Sequence, residues 1–100
     1  MHLVSYDIHD NTLRLKVSKI LLKSGLYRIQ KSVFLGNLDG VNEEPVVKAL
    51  ENMALHQDWQ ETDSILWMPL HDYTTEHTLT IGADLKDWDL IKGDLHTLFI

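Results

Sequence analysis

The sequence predicts one small α+β domain in which two helices cover a single face of a β-sheet. Three observations carry this expectation. Short segments alternate polar and apolar residues with period two, the pattern of strands with one covered face. Two longer segments place apolar residues at helical spacing, and glycine- and asparagine-bearing turns separate the elements. The 100 residues, 44% of them hydrophobic, can build one core. A domain of this size buries a modest share of its surface, so a partner chain adds stability. With no cysteine in the chain, disulfides and thiolate metal sites are excluded.

Residues 2–8 read as the first strand, with His2, Val4, Tyr6 and Ile8 on one face and Leu3, Ser5 and Asp7 on the other. Asp10 or Asn11 then caps a helix whose apolar stripe is Leu13, Val17, Ile20 and Leu21, at i, i+4, i+7 and i+8. Gly25 ends it, because glycine takes the left-handed C′ conformation without steric cost. Residues 26–35 are strand-like; Tyr27, Ile29, Lys31 and Val33 share one face, and Arg28, Gln30, Ser32 and Phe34 the other. Gly36 to Gly40 is turn chemistry. A second helix follows, capped by Asn42, with Glu43 and Glu44 suiting the dipole of its first turn. Its apolar face is Val46, Val47, Leu50, Met53 and Ala54. Residues 64–70 form a nearly continuous apolar strand, 77–82 alternate as another, and Leu95–Ile100 suggest a short final one after an acidic segment, 83–94.

This order is β-α-β-β-α-β, a ferredoxin-like split βαβ arrangement, provided that the 26–35 segment breaks near Ser32. Two helices on one side leave the other sheet face open. That face is expected to carry Leu3, Ser5, Asp7, Arg28, Gln30, Ser32 and Phe34, a mixed set suited to a wet two-fold interface.

The net charge of −6 argues at first against a nucleic-acid partner, but the charges are segregated. Residues 1–31 hold Arg14, Lys16, Lys19, Lys23, Arg28 and Lys31 against Asp7 and Asp10, a balance of +4, and residues 32–100 carry −10. A basic segment on an acidic body can make a local phosphate-binding stripe, but on charge alone the commoner meaning is a lysine-decorated solvent face of a helix. No apolar run is long enough to span a membrane, and the start Met1-His2-Leu3-Val4 lacks the basic and apolar regions of a signal peptide. The expected setting is therefore cytoplasmic, without membrane contact.

Three motifs in order carry a family resemblance. Val4-Ser5-Tyr6-Asp7-Ile8 followed by Asp10, Arg14 and Lys16 is similar to the opening strand and helix start of the CRISPR-associated protein-two family. Gly25 and then Arg28-Ile29-Gln30-Lys31-Ser32-Val33-Phe34 resembles its R-x-Q-x-S-V-F strand. Asp63 to Leu70 resembles its third strand, with Trp67 where tyrosine is more usual. The resemblance implies a ferredoxin-like domain, here 1–82, dimerising sheet to sheet. It also implies a C-terminal extension, 83–100, whose strand pairs with the partner protomer. It further implies a complex with the larger CRISPR integrase, which holds a short DNA duplex for insertion into the repeat array. Some members are metal-dependent endonucleases on RNA or DNA; others are scaffolds without required chemistry.

Asp7 ends its strand toward the expected dimer face, where a two-fold axis would bring two copies together. Magnesium takes hard oxygen ligands, often only one or two protein carboxylates, and activates bound water near a phosphate. The alternative is that Asp7 accepts hydrogen bonds from Ser5, Ser32 or Arg28. Asp10 reads as a helix cap and His9 as incidental. The other histidines lack zinc-ligand spacing. Arg14, Lys16, Lys19, Lys23 and Lys31 are candidate phosphate contacts without base specificity, and Arg28 either joins them or pairs with Asp7. Tyr6, Phe34 and Trp67 read as packing residues, while Trp59 and Trp88 stand in polar surroundings, as an interface with the integrase or as a capped local cluster. No glycine-rich phosphate loop or nucleophile motif occurs. Three functions follow: a dimeric duplex-binding scaffold working with the integrase, a magnesium-dependent nuclease built on Asp7, and an RNA-cleaving toxin outside CRISPR.

Overall fold

The computed structural model describes residues 1–38 and 43–71 together with His77, Leu79, Ile81 and Gly82. Six elements follow in chain order: β1 (His2–Asp7), α1 (Asn11–Lys23), β2 (Tyr27–Gln30), β3 (Val33–Gly36), α2 (Glu43–Met53) and β4 (Ser64–Pro69). The strands form one sheet in the order β2-β3-β1-β4, every neighbouring pair antiparallel. Each helix therefore connects two strands that have a third between them, and the domain is the expected ferredoxin-like α+β fold.

Local chemistry sets the helix ends. Asp10 Oδ2 accepts from the backbone N–H of Leu13 at 2.9 Å, satisfying one of the donors that open α1. At the other end Gly25 has φ +92°, its N–H donates to the Leu22 carbonyl, and the Leu26 N–H reaches back to Leu21. This left-handed stop turns the chain directly into β2. In α2, Pro45 sits in the first turn, where an N–H has no helical partner, beside Glu43 and Glu44. Asn42, the expected cap, lies outside the described residues.

The 26–35 segment breaks at Lys31–Ser32, and its halves fold back on each other as β2 and β3. The register slips between Arg28 and Gln30, a bulge that sharpens the twist. The face assignment needs correction. Val4 lies opposite Phe34, and Phe34 opposite Arg28, so Phe34 and Arg28 share the helix-covered face. Leu3 lies opposite Leu35, and Leu35 opposite Tyr27, on the open face. The alternation within the segment was legible, but which set faces the helices depends on its register with β1.

Under the helices lies the main core. Val4, Leu13, Val17, Leu21 and Phe34 are fully buried, and Tyr6, Ile8, Leu26, Val46 and Leu50 close around them. The expected stripes of both helices hold, except that Ala54 is exposed just past the end of α2. Trp59 packs against this core, in line with the local-cluster alternative for it, and Trp67 does the same from β4. A smaller cluster of Met1 and Leu35, flanked by Leu3, Tyr27 and Ile29, lies on the open face. Trp88, the acidic segment and the Leu95–Ile100 strand lie outside the described residues. So does most of 77–82, whose described members are not in a strand and include the exposed Leu79 and Ile81. No helix among the described residues is long and apolar enough to cross a membrane.

The ends of β1 and β4 are tied by a polar contact. Asp63, whose carboxylate is fully buried, accepts from the backbone N–H groups of His9 (3.0 Å) and Gln60 (2.8 Å). The same carboxylate meets His9 Nδ1 at 2.7 Å. Burial pushes the Asp63 carboxyl up, but the Gln60 N–H, the His9 ring and the His9 N–H outweigh it and hold it below its ordinary 3.8. A depressed folded-state value means that this contribution is complete above the unfolded value and is lost as pH falls through the folded one. The wild-type melting temperature should therefore drop on acidification below about pH 4. Asp63→Asn should melt lower at neutral pH and depend less on pH across that window, as thermal melts between pH 7 and pH 2 will show. Phe34→Ala should cost about 3–5 kcal/mol in urea unfolding, because no neighbour can collapse into a cavity at the centre of the sheet.

Candidate functional site

Asp7 is the last residue of β1, opposite Ser64 of β4 and on the same open face as Leu3 and Ser5. It is exposed, and among the described residues no hydrogen bond or ion pair engages its carboxylate. The expected bonds from Ser5, Ser32 or Arg28 are not made. Arg28 instead lies over the Phe34 ring, 5.1 Å from its centroid, on the other side of the sheet. The possible Asp7–Arg28 pair is thus replaced by a cation–π contact. Two residues further on, the Asp63 contact anchors His9 in the loop that follows Asp7.

The basic residues divide into two groups. Lys16, Lys19 and Lys23 are exposed along α1 at i, i+3 and i+7, which aligns them in one stripe. Arg14 is half-buried, and its guanidinium donates to the Ile8 carbonyl at 3.2 Å and to Asn11 Oδ1 at 3.1 Å. Arg14, Arg28 and Lys31 converge on a notch of about 130 Å³ between α1 and the β2–β3 turn, floored by Tyr6 and bordered by Ser18 and Ser32. None of the six basic residues pairs with a carboxylate among the described residues. In a chain of net charge −6 these six cations are thus not neutralised by any carboxylate among the described residues.

The sequence reading missed His9. It was set aside as incidental, yet with Asp63 it closes the loop beside Asp7. Only the β1–β4 register, which pairs Asp7 with Ser64, reveals that Asp63 arrives next to it. His2 was also passed over. It is buried, its ring lies 5.0 Å from that of Trp67, and its Nε2 is 3.4 Å from Glu43. No group of three or more His, Cys, Asp or Glu side chains suited to a metal occurs among the described residues. One chain therefore offers a single free carboxylate at the site. A second cavity, about 240 Å³ and apolar, lies between α2 and β4, lined by Val47, Leu50, Trp59, Ile65 and Trp67.

Comparisons with known proteins agree with this architecture. The family model described as CRISPR associated protein Cas2 matches residues 1–78. The CRISPR-associated endoribonuclease Cas2 of Korarchaeum cryptofilum is 41% identical over 80 residues, covering 80% of this chain and 82% of that protein. The CRISPR-associated endoribonuclease Cas2 1 of Archaeoglobus fulgidus is 42% identical over 70 residues, 70% of each chain. The crystal structure of Streptococcus pyogenes Cas2 at pH 6.5 superposes with a TM-score of 0.60 at 26% identity, covering 81% of this chain and 98% of the other. With the ferredoxin-like sheet and the three sequence motifs already in place, a match over residues 1–78 makes this chain a member of the CRISPR associated protein Cas2 family.

Proposed function

We propose that this protein is a homodimeric CRISPR adaptation component that binds duplex DNA together with the CRISPR integrase and carries a magnesium-dependent endoribonuclease site at Asp7. The observation that carries the reading is an exposed carboxylate, without a partner among the described residues, at the end of a sheet face whose β4 edge exposes apolar side chains. Leu66 and Met68 are 51% and 41% exposed on β4. They lie opposite Ser5 and Leu3, and Tyr27, Ile29 and Val33 are half-buried on the same face. A second copy packed sheet to sheet covers this surface, and Asp7 stands at its end. Such a face is self-complementary by symmetry. Relatives named as endoribonucleases support the nuclease part of the reading.

A magnesium ion fits the donor chemistry of Asp7: a hard oxygen ligand, exposed, with no competing hydrogen bond among the described residues, contributed once per chain. One carboxylate per protomer becomes two across a dimer axis, within the one or two that magnesium commonly takes. When bound, the ion would lower the pKa of a coordinated water and offset charge on a phosphate. The chain's own residues do the rest. Asp63 anchors the loop that follows Asp7, and Arg14, Lys16, Lys19, Lys23, Arg28 and Lys31 attract and hold the sugar–phosphate backbone. These contacts read charge and shape, so the protein should bind duplexes with little dependence on sequence.

Two measurements test this. With magnesium and labelled RNA, Asp7→Asn should reduce cleavage by at least about a hundredfold while the protein stays dimeric and still binds duplex. Equal cleavage by both proteins would remove Asp7 from the chemistry, and loss of duplex binding in the dimeric variant would remove the separation of binding from cleavage. Duplex affinity should also fall linearly with the logarithm of salt concentration. Replacing Lys16, Lys19 and Lys23 by Gln should lower that slope by about two to three units; an unchanged slope would exclude the α1 stripe from the contact.

A further inference from the structure

We propose that the notch of Arg14, Arg28 and Lys31 is a seat for one phosphate group, separate from the Asp7 carboxylate and independent of metal. This deepens the nucleic-acid reading above and rests on it for the natural ligand. Three cations line this small space, Arg14 from α1, Arg28 from β2 and Lys31 from the β2–β3 turn, and among the described residues its lining contains no carboxylate. Like charges gathered this way repel, and an anion between them turns the repulsion into attraction.

Each cation is set for that role by contacts that orient it without cancelling its charge. Arg14 is held by two neutral oxygens, the Ile8 carbonyl and Asn11 Oδ1. The Arg28 guanidinium lies over the ring of Phe34, a side chain with no exposure of its own. Lys31 stands exposed in the two-residue turn between β2 and β3. The acids nearest in sequence are engaged elsewhere or point away: Asp10 caps α1, and Asp7 lies on the open face. Ser18 already donates its hydroxyl to the Leu15 carbonyl at 2.9 Å, which leaves the Ser32 hydroxyl to donate to a ligand. Planar guanidinium groups suit phosphate oxygens, and two of them frame this notch.

Size sets the limit of the ligand. At about 130 Å³ the notch is well below the roughly 300 Å³ at which sites for small organic molecules begin. A phosphate group fits, while the sugar and base attached to it remain outside. The seat therefore holds either a backbone phosphodiester or a terminal phosphate monoester. Lys16, Lys19 and Lys23 do not line it, so they act as a diffuse electrostatic stripe and the notch as a fixed contact.

The test is calorimetric titration of the full chain, without metal, by inorganic phosphate and by duplexes of one sequence carrying a 5′-phosphate or a 5′-hydroxyl. Arg28→Gln and Lys31→Gln should each weaken phosphate binding about tenfold, the loss of one charged hydrogen bond. Lys19→Gln should change it less than about twofold, and Asp7→Asn should leave it intact. Lys31 is exposed in a turn, so its variant folds even if the Arg28 variant loses packing on Phe34. Preference for the 5′-phosphorylated duplex assigns the seat to strand ends, and equal affinity with competition by free phosphate assigns it to the backbone. No phosphate binding, or equal weakening by Lys19→Gln and Arg28→Gln, would overturn the seat. If phosphate binding follows the notch but neither RNA nor DNA is bound or cut, the nuclease and scaffold reading fails and the seat stands.

Discussion

Val4 and Phe34 face each other across β1 and β3, both without exposure, and the functional surface is arranged around that pair. Their contact places Phe34 under the helices and sets the register of β3 on β1. Through β3 it also sets where β2 lies, with Arg28 opposite Phe34. Because strand side chains alternate with period two, a slip of one residue would expose Phe34 and move Arg28 to the other side of the sheet. The same register sends Leu3, Leu35 and Tyr27 to the open face and leaves Asp7 at its end. Core packing and the separation of Arg28 from Asp7 are thus one constraint seen from two sides.

Electrostatics then divides the molecule. The open face is largely apolar, and at its margin stands Asp7, free among the described residues, which suits a symmetric partner and a hard cation. The α1 side and the β2–β3 turn hold cations that no described carboxylate pairs, which suit phosphate. Had Arg28 paired with Asp7, each would have neutralised the other and both surfaces would have lost their character. The cation–π contact with Phe34 keeps Arg28 ordered while its charge remains available. Asp63 does related work at the other end of β1: its buried carboxylate gathers His9 and Gln60, so the loop after Asp7 is held without using Asp7 itself.

Much of this was legible in local patterns. The α1 stripe, the Asp10 cap, the Gly25 stop and the alternation in β1 follow from 3.6- and 2-residue periods and from backbone preferences that need no distant partner. Asp7 and the six cations were found as candidates because charge and motif are properties of the chain. The break at Lys31–Ser32 was foreseen only as a condition of the element count. Apart from Ser32 it contains no turn residue, and the reversal is held by a backbone bond from the Tyr6 N–H to the Ser32 carbonyl. His9 was overlooked because its partner lies 54 positions away.

By itself, then, the sequence determined the kind and order of the described elements, the ends of α1, and which residues carry chemistry, since these depend on interactions within a few residues. The tertiary structure alone decided which face of the sheet Phe34 and Arg28 occupy, that Arg14, Arg28 and Lys31 meet while Lys16, Lys19 and Lys23 stand apart, and that Asp7 is left free among the described residues. Those outcomes depend on strand register and on contacts between residues far apart in the chain, where local periodicity is the same for either arrangement and only packing against β1 selects between them.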